Sequence, residues 1–96
     1  MEEFKPPVPD FKFFISTLSL QASIFLGQIP NPASQKTELD LTQAKFIIDT
    51  LGMLQEKTKN NLSDEESDLL ENFLYELRTV YLSKDKSIPQ VKGEEK

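Results

Sequence analysis

Apolar residues recur along three stretches of the chain at intervals of three and four, the spacing that places side chains on one face of an α-helix. Segments rich in proline, asparagine and other turn-forming residues separate these stretches. No run alternates apolar and polar residues for long enough to predict a strand. The pattern predicts an all-α fold, a small three-helix bundle with helices at about residues 11–26, 41–59 and 64–83. The second and third helices are expected to form an antiparallel hairpin.

Residues that can cap a helix stand at the predicted boundaries. The residues suited to begin the three helices are Asp10, Asp40 and Ser63. Gln43 and Glu66 follow the last two by three residues, which is the spacing of a capping box. Gly27 and Asn60 are suited to end the first two helices, because both residue types tolerate a left-handed backbone.

Each predicted helix carries one wide apolar stripe that we expect to face the core. The stripes comprise Phe11, Phe14, Ile15, Leu18, Ala22, Phe25 and Leu26 on the first helix, Leu41, Ala44, Ile47, Ile48, Leu51 and Leu54 on the second, and Leu69, Leu70, Phe73, Leu74, Leu77, Val80 and Tyr81 on the third. Leu62, between the second and third helices, is also expected to be buried. These stripes are sufficient for one core.

Further residues lie outside the three stripes and form the candidate self-association or partner surface. They are Phe13, Thr17, Leu20, Ile24, Phe46, Met53, Tyr75 and Leu82. The four on the first helix have the 4, 3, 4 spacing of a coiled-coil seam. Single exposed apolar residues are ordinary on protein surfaces, and this simpler interpretation is favoured for Tyr75 and Leu82. A helix that is apolar on two opposite sides usually lies between two layers, so the first helix predicts a homo-oligomer, with a dimer favoured.

A competing interpretation places the first helix on a membrane surface. Helices of that kind usually carry Lys or Arg along the polar side, whereas this one offers three serines and Lys12. Its uncharged part would extend only about 21 Å, short of a bilayer core of about 30 Å, so a membrane span is not expected. Ser19, Ser23 and Gly27 have the small-residue spacing of close helix contacts in membranes, which we interpret as a close crossing within the bundle.

Composition excludes most catalytic chemistries. The chain of 96 residues contains no cysteine and no histidine, which excludes disulfides, Cys–His and Ser-His-Asp nucleophiles, and zinc sites that use histidine. The net charge of −5 argues against binding to a nucleic-acid backbone. We therefore expect no enzymatic activity, no cofactor, no metal site and no nucleic-acid partner. The acidic, Pro-rich start does not look like a signal peptide, and the absence of cysteine suits a cytoplasmic location.

The acidic residues near the start of the third helix are the strongest candidates for chemistry. They are Asp64, Glu65, Glu66, Asp68 and Glu71. A di-metal carboxylate bundle needs Glu-x-x-His motifs, and a calcium loop needs its central glycine; neither is present. Helix capping and solubility are the favoured roles, and a carboxylate-based metal binder is a remote alternative.

Charged residues elsewhere have structural interpretations. Lys45 and Asp49 are spaced to form an i,i+4 ion pair on the second helix. Gly52 is interpreted as a position of close helix approach or as a neutral substitution. Arg78 is expected to pair with an acid of the third helix or with a backbone carbonyl, in preference to binding a ligand.

Three segments, FFISTLSLQASIFLGQIPNP, LDLTQAKFIIDTLGMLQEKTKNNLSDEE and LLENFLYELRTVYL, together resemble a small bacterial family catalogued as a domain of unknown function (number 1844). The resemblance covers about residues 13–82. The family has KTKGNL where this chain has KTKNNL, so Asn60 replaces a glycine, and the turn should survive because Asn is the next-best residue there. The resemblance implies a small bacterial, cytoplasmic helical protein and implies no activity and no catalytic residues.

The sequence therefore predicts a non-enzymatic helical interaction and oligomerisation module that self-associates and docks onto an unidentified protein partner. Its parts are a flexible lead-in at residues 1–9, one helical domain at residues 10–83 and a disordered polar tail at residues 84–96. The main alternative is a peripheral membrane or lipid-binding protein that acts through the first helix.

Overall fold

The computed structural model describes residues 8–86, which form three α-helices. α1 is Phe11–Phe25, α2 is Leu41–Lys57 and α3 is Asp64–Lys84. The all-α prediction is confirmed, and every helix boundary lies within two residues of its predicted position. The predicted lead-in and tail fall mainly outside the described residues.

Local hydrogen bonds fix where the helices begin. The Asp10 carboxylate accepts from the Phe13 N–H at 2.9 Å, and the Asp40 carboxylate accepts from the Gln43 N–H at 3.1 Å. At α3 the capping box is complete: the Glu66 N–H donates to Ser63 Oγ, and the Ser63 N–H donates to Glu66 Oε1. These side chains bind N–H groups that have no partner within the helix.

Residues with a left-handed backbone follow α1 and α2. Gly27 directly follows the C-cap Leu26, as predicted, whereas α2 ends earlier than predicted, and Asn60 lies two residues after its C-cap Thr58. Gly27 has φ of 78° and Asn60 has φ of 70°. Glycine adopts this conformation without a steric cost, and asparagine tolerates it better than most residues. Asn60 therefore performs the turn for which the resembling family uses glycine.

The connections set the direction of each helix. The Asp40 N–H donates to the Phe25 carbonyl at 2.7 Å, and Leu26 and Leu39 form an antiparallel bridge, so α2 runs back along α1. The turn around Asn60 reverses the chain again into α3. An ion pair between Lys12 and Glu65, 3.2 Å long, joins the beginnings of α1 and α3. The bundle thus has α1 and α3 running in one direction and α2 in the other, with every helix pair in contact.

The core consists of side chains from the predicted stripes. Its buried members are Ile15, Ala22, Leu26, Ala44, Ile47, Ile48, Leu51, Leu70, Leu74 and Leu77. Leu62, expected to be buried, is half-buried and packs against this core. Each large aliphatic side chain buried here stabilises the fold by roughly 1.5–3 kcal/mol. Hydrophobic burial from all three helices therefore stabilises a single core.

The prediction is wrong for Phe14, which is 48% exposed. α1 instead half-buries a line of small side chains. They are Ser16, Ser19 and Ser23. Lys12 and these three serines follow one another at intervals of four, three and four residues, so they lie on one edge of α1, which we call the serine edge. Because the ammonium group of Lys12 reaches Glu65 of α3, the serine edge lies toward α3. Small side chains allow close packing there, and the buried side of α1 lies along Ile15 and Ala22, with Phe14 outside it.

Candidate functional site

The side of α1 that points away from the other two helices is apolar. We call it the α1 outer face, and it comprises Phe13, Phe14, Thr17, Leu20, Gln21 and Ile24. Phe13 is 55% exposed and Leu20 is 51% exposed, while Thr17 and Ile24 are half-buried. These positions span about 120° of the helix circumference. All four predicted seam residues lie on this face, together with the exposed ring of Phe14, which the sequence assigned to the core.

The α1 outer face carries no charge. Lys12 is the one charged residue of α1, and it lies on the opposite side, where it donates a hydrogen bond to Glu65. That hydrogen bond, reinforced by the charge of Glu65, raises the pKa of Lys12 above its ordinary value. α1 is about 22 Å long, so the uncharged surface extends over some four helical turns.

The hydroxyl group on this face already has a hydrogen-bond partner. Thr17 Oγ1 donates to the Phe14 carbonyl oxygen at 2.7 Å. A hydroxyl that is satisfied within its own helix can be covered by a second apolar surface at little cost. Near the start of α1, Phe13, Phe14 and Thr17 line an open depression of about 540 Å³ together with Pro9 and the N-cap residue Asp10. The surface is thus suited mainly to packing, with the exposed amide of Gln21 as its polar group.

The other four predicted surface residues belong to α2 and α3, and we call this region the α2–α3 outer face. They are Phe46, Met53, Tyr75 and Leu82, and all four are exposed. Phe46 lines a depression of about 390 Å³ with Tyr81. Tyr75 and Leu82 line another with Arg78. The predicted surface therefore divides into two groups on different elements.

Charged and phenolic groups lie between the apolar residues of the α2–α3 outer face. The predicted ion pair between Lys45 and Asp49 is confirmed, with Nζ and Oδ2 2.7 Å apart. Its hydrogen bond raises the pKa of Lys45. Partial burial, and a hydrogen bond with Asp85, raise the pKa of Tyr81. This face is therefore mixed in character, unlike the α1 outer face.

Gly52 provides space for the guanidinium group of Arg78. A Cβ atom at Gly52 would lie 3.1 Å from Arg78 Nη2. The close approach predicted at this glycine is therefore made by a side chain of α3. Within residues 8–86 the ion pairs are those of Lys12 and Lys45, so the expected pairing of Arg78 with an acid of α3 is not formed.

The acidic cluster at the start of α3 has structural contacts. Glu66 completes the capping box, and Glu65 binds Lys12. In the part of the chain that the structure describes, no group of three acidic side chains lies close enough to hold a metal ion. Over the same range, every buried side chain is hydrophobic.

Sequence periodicity predicted neither the exposure of Phe14 nor the contact between Lys12 and Glu65. The signal for both was the 4, 3, 4 series of Lys12 and the three serines, which marks the edge of α1 that lies toward α3. Apolar residues occupy most of the remaining circumference of α1, so a stripe of apolar residues alone cannot show which side is covered.

None of the helices within residues 8–86 is both long and apolar enough to cross a bilayer. α1 is the most apolar of the three, but it is only 15 residues long. A transmembrane helix needs about 20 apolar residues.

Comparison with known protein families gives a match over most of the chain. A family model described as Domain of unknown function (DUF1844) matches residues 8–83, which include α1, α2 and nearly all of α3. The resemblance drawn from the sequence is thereby confirmed. No curated protein and no solved structure matches the chain.

Proposed function

The chain belongs to the DUF1844 family, and from its surface we propose that it acts as a non-enzymatic helical interaction module of a bacterial cytoplasm. In this proposal the protein self-associates, and two copies meet through their α1 outer faces. The single observation that carries the proposal is the uncharged, mainly apolar surface that extends along the full length of α1. A helix covered on one side only would normally present charged residues on the other.

The distribution of charge favours a second copy as the occupant of this surface. Each chain has a net charge of −5, so most surfaces of two copies would repel each other at short range. The α1 outer face contributes none of that charge, and it can therefore meet its own equivalent without opposing like charges. Screening at physiological salt, over about 8 Å, weakens repulsion between the more distant acids.

The available area is consistent with a small dimer interface. A phenylalanine ring presents roughly 200 Å², so Phe13 and Phe14, each about half exposed, would together bury about 400 Å² across two copies. That is about a third of the ~1,200 Å² at the lower end of stable interfaces. Leu20, Ile24 and their neighbours on the same face are available to supply the rest.

Light scattering coupled to size exclusion tests the proposal at micromolar concentration. The wild type is expected to run as a dimer, and Phe13→Glu/Leu20→Glu as a monomer. An unpaired carboxylate buried in an interface costs several kcal/mol, so the two substitutions should weaken association by roughly a thousand-fold or more.

The α2–α3 outer face offers a matched control. Phe46 and Met53 are seven residues apart, as are Phe13 and Leu20, and they are 68% and 47% exposed. Phe46→Glu/Met53→Glu adds the same charge and should remain dimeric. A monomeric wild type would refute self-association. Dissociation of the control, with the α1 variant still dimeric, would move the interface to α2 and α3.

Membrane-surface binding is the second candidate function, because exposed Phe13, Phe14 and Leu20 could also enter a lipid interface. Against it, α1 has no free basic residue to attract anionic lipid, since Lys12 pairs with Glu65. Co-sedimentation with neutral phosphatidylcholine vesicles separates the two functions. The protein should stay in the supernatant at all salt concentrations, and salt-independent pelleting lost in Phe13→Glu/Leu20→Glu would favour the membrane.

A further inference from the structure

The sizes of the side chains along the α1 outer face indicate how two copies fit together. Near its N-terminal end Phe13 and Phe14 are large and about half exposed. Toward its C-terminal end the smaller Ile24 is half-buried. Between them, small Thr17 is followed by exposed Leu20. Phe13 and Thr17 are thus the largest and the smallest side chains of the seam, and Leu20 and Ile24 are intermediate in size.

We propose that the two copies pair with their α1 helices antiparallel, related by a twofold axis near the middle of α1. This inference rests on the proposed function. The antiparallel arrangement places Phe13 of one copy against Ile24 of the other, and Thr17 against Leu20. Every layer then combines a larger with a smaller side chain, as close packing requires.

A parallel pairing fits the same residues poorly. It would place Phe13 against Phe13, the two largest side chains, at one end of the seam. It would place Thr17 against Thr17 in the next layer and leave a gap there. Antiparallel helices also bring the positive end of each helix dipole next to the negative end of the other.

The position of the seam within α1 supports the twofold axis. The midpoint between Phe13 and Ile24 falls between Leu18 and Ser19, and the midpoint of α1 itself is Leu18. A twofold axis there allows both helices to overlap along their whole length. In the two central layers, Thr17 Oγ1 already donates a hydrogen bond to the Phe14 carbonyl. Pairing around the axis therefore buries no hydroxyl group that lacks a hydrogen bond.

Cysteine cross-linking tests the arrangement cleanly, because the chain contains no cysteine of its own. Phe13→Cys and Ile24→Cys are prepared as separate full-length variants, oxidised alone and then as an equimolar mixture. In the antiparallel dimer, equivalent residues at position 13 are about 16 Å apart along the axis, too far for a disulfide. We expect no covalent dimer from either variant alone, and about half of the chains cross-linked in the mixture.

A second experiment uses charged substitutions, in case cysteine at these positions weakens the packing of the dimer. Phe13→Glu and Ile24→Lys should each be monomeric, while their mixture should form a heterodimer in which the two new charges meet. In a parallel dimer the carboxylate would face Phe13 and the ammonium group would face Ile24, so mixing would restore nothing.

The outcomes separate this inference from the proposed function. A disulfide-linked dimer of Phe13→Cys alone would overturn the antiparallel arrangement and leave self-association in place. The same conclusion would follow if the wild type is a dimer but the mixture of Phe13→Glu and Ile24→Lys stays monomeric. A wild type that is monomeric by light scattering would overturn both.

Discussion

At the scale of single residues, Gly52 is a position at which alanine is expected to stabilise the fold. Glycine inside a helix costs about 1 kcal/mol relative to alanine. The added Cβ would come within 3.1 Å of Arg78 Nη2, but this atom ends a flexible side chain without an ion pair in the described range. We expect Gly52→Ala to raise the free energy of unfolding by about 0.5–1 kcal/mol, measured by urea denaturation.

The double variant Gly52→Ala/Arg78→Ala is the control for that substitution. If the Arg78 side chain can move away without cost, Gly52→Ala should raise the free energy of unfolding equally with Arg78 and with Arg78→Ala. A loss that appears only when Arg78 is present would mean that the guanidinium group is held firmly against α2.

Asn60 is the other residue at which the backbone conformation determines how a substitution affects stability. Its φ of 70° is unfavourable for residues with a Cβ, and asparagine bears this better than alanine does. Asn60→Ala should lower the midpoint of urea unfolding by the equivalent of about 1 kcal/mol, whereas Asn60→Gly should leave it equal or slightly higher. Equal stability of the two variants would show that the turn does not need the left-handed conformation.

At the scale of the element, α3 depends on its capping box. Ser63→Ala removes the acceptor for the Glu66 N–H and should cost about 1 kcal/mol of stability. Ser67→Ala, at an exposed position in the same helix, is the matched control and should change little. A cost equal at both positions would argue against capping as the cause.

The same scale shows what the sequence could and could not predict. Caps and ends depend on residues three or four positions apart, so Asp10, Ser63 and Asn60 could be assigned from the sequence alone. The side of α1 that is covered depends on packing against α3, which lies far away in the chain. Phe14 was misplaced because the serine edge, and not the most apolar stripe, lies toward α3. The sequence alone likewise could not show that the candidate surface is divided between α1 and the α2–α3 outer face.

At the scale of the whole molecule, stability should fall in alkali. The pKa values of Lys12, Lys45 and Tyr81 are all raised in the folded chain, the two lysines mainly by hydrogen bonds to carboxylates and the tyrosine mainly by burial. A group with a higher pKa in the folded state stabilises it fully below the unfolded pKa and ceases to do so as the pH rises through the folded value. These groups titrate from about pH 10 upward.

Urea midpoints measured at pH 8 and at pH 11 should therefore differ, with the lower midpoint at pH 11. Lys12→Gln and Tyr81→Phe each remove one titrating group and should reduce the difference. A midpoint that does not change with pH in the wild type would contradict the raised pKa values.

The contact between Lys12 and Glu65 also has a consequence for synthesis. The two residues are 53 positions apart, so at the usual rate of roughly 5–20 residues per second α1 emerges some 3–10 s before the start of α3. Throughout that interval both sides of α1 are uncovered, the serine edge as well as the aromatic one. A nascent α1 would therefore present both sides to chaperones, or to neighbouring chains on the same messenger RNA, until α3 is available.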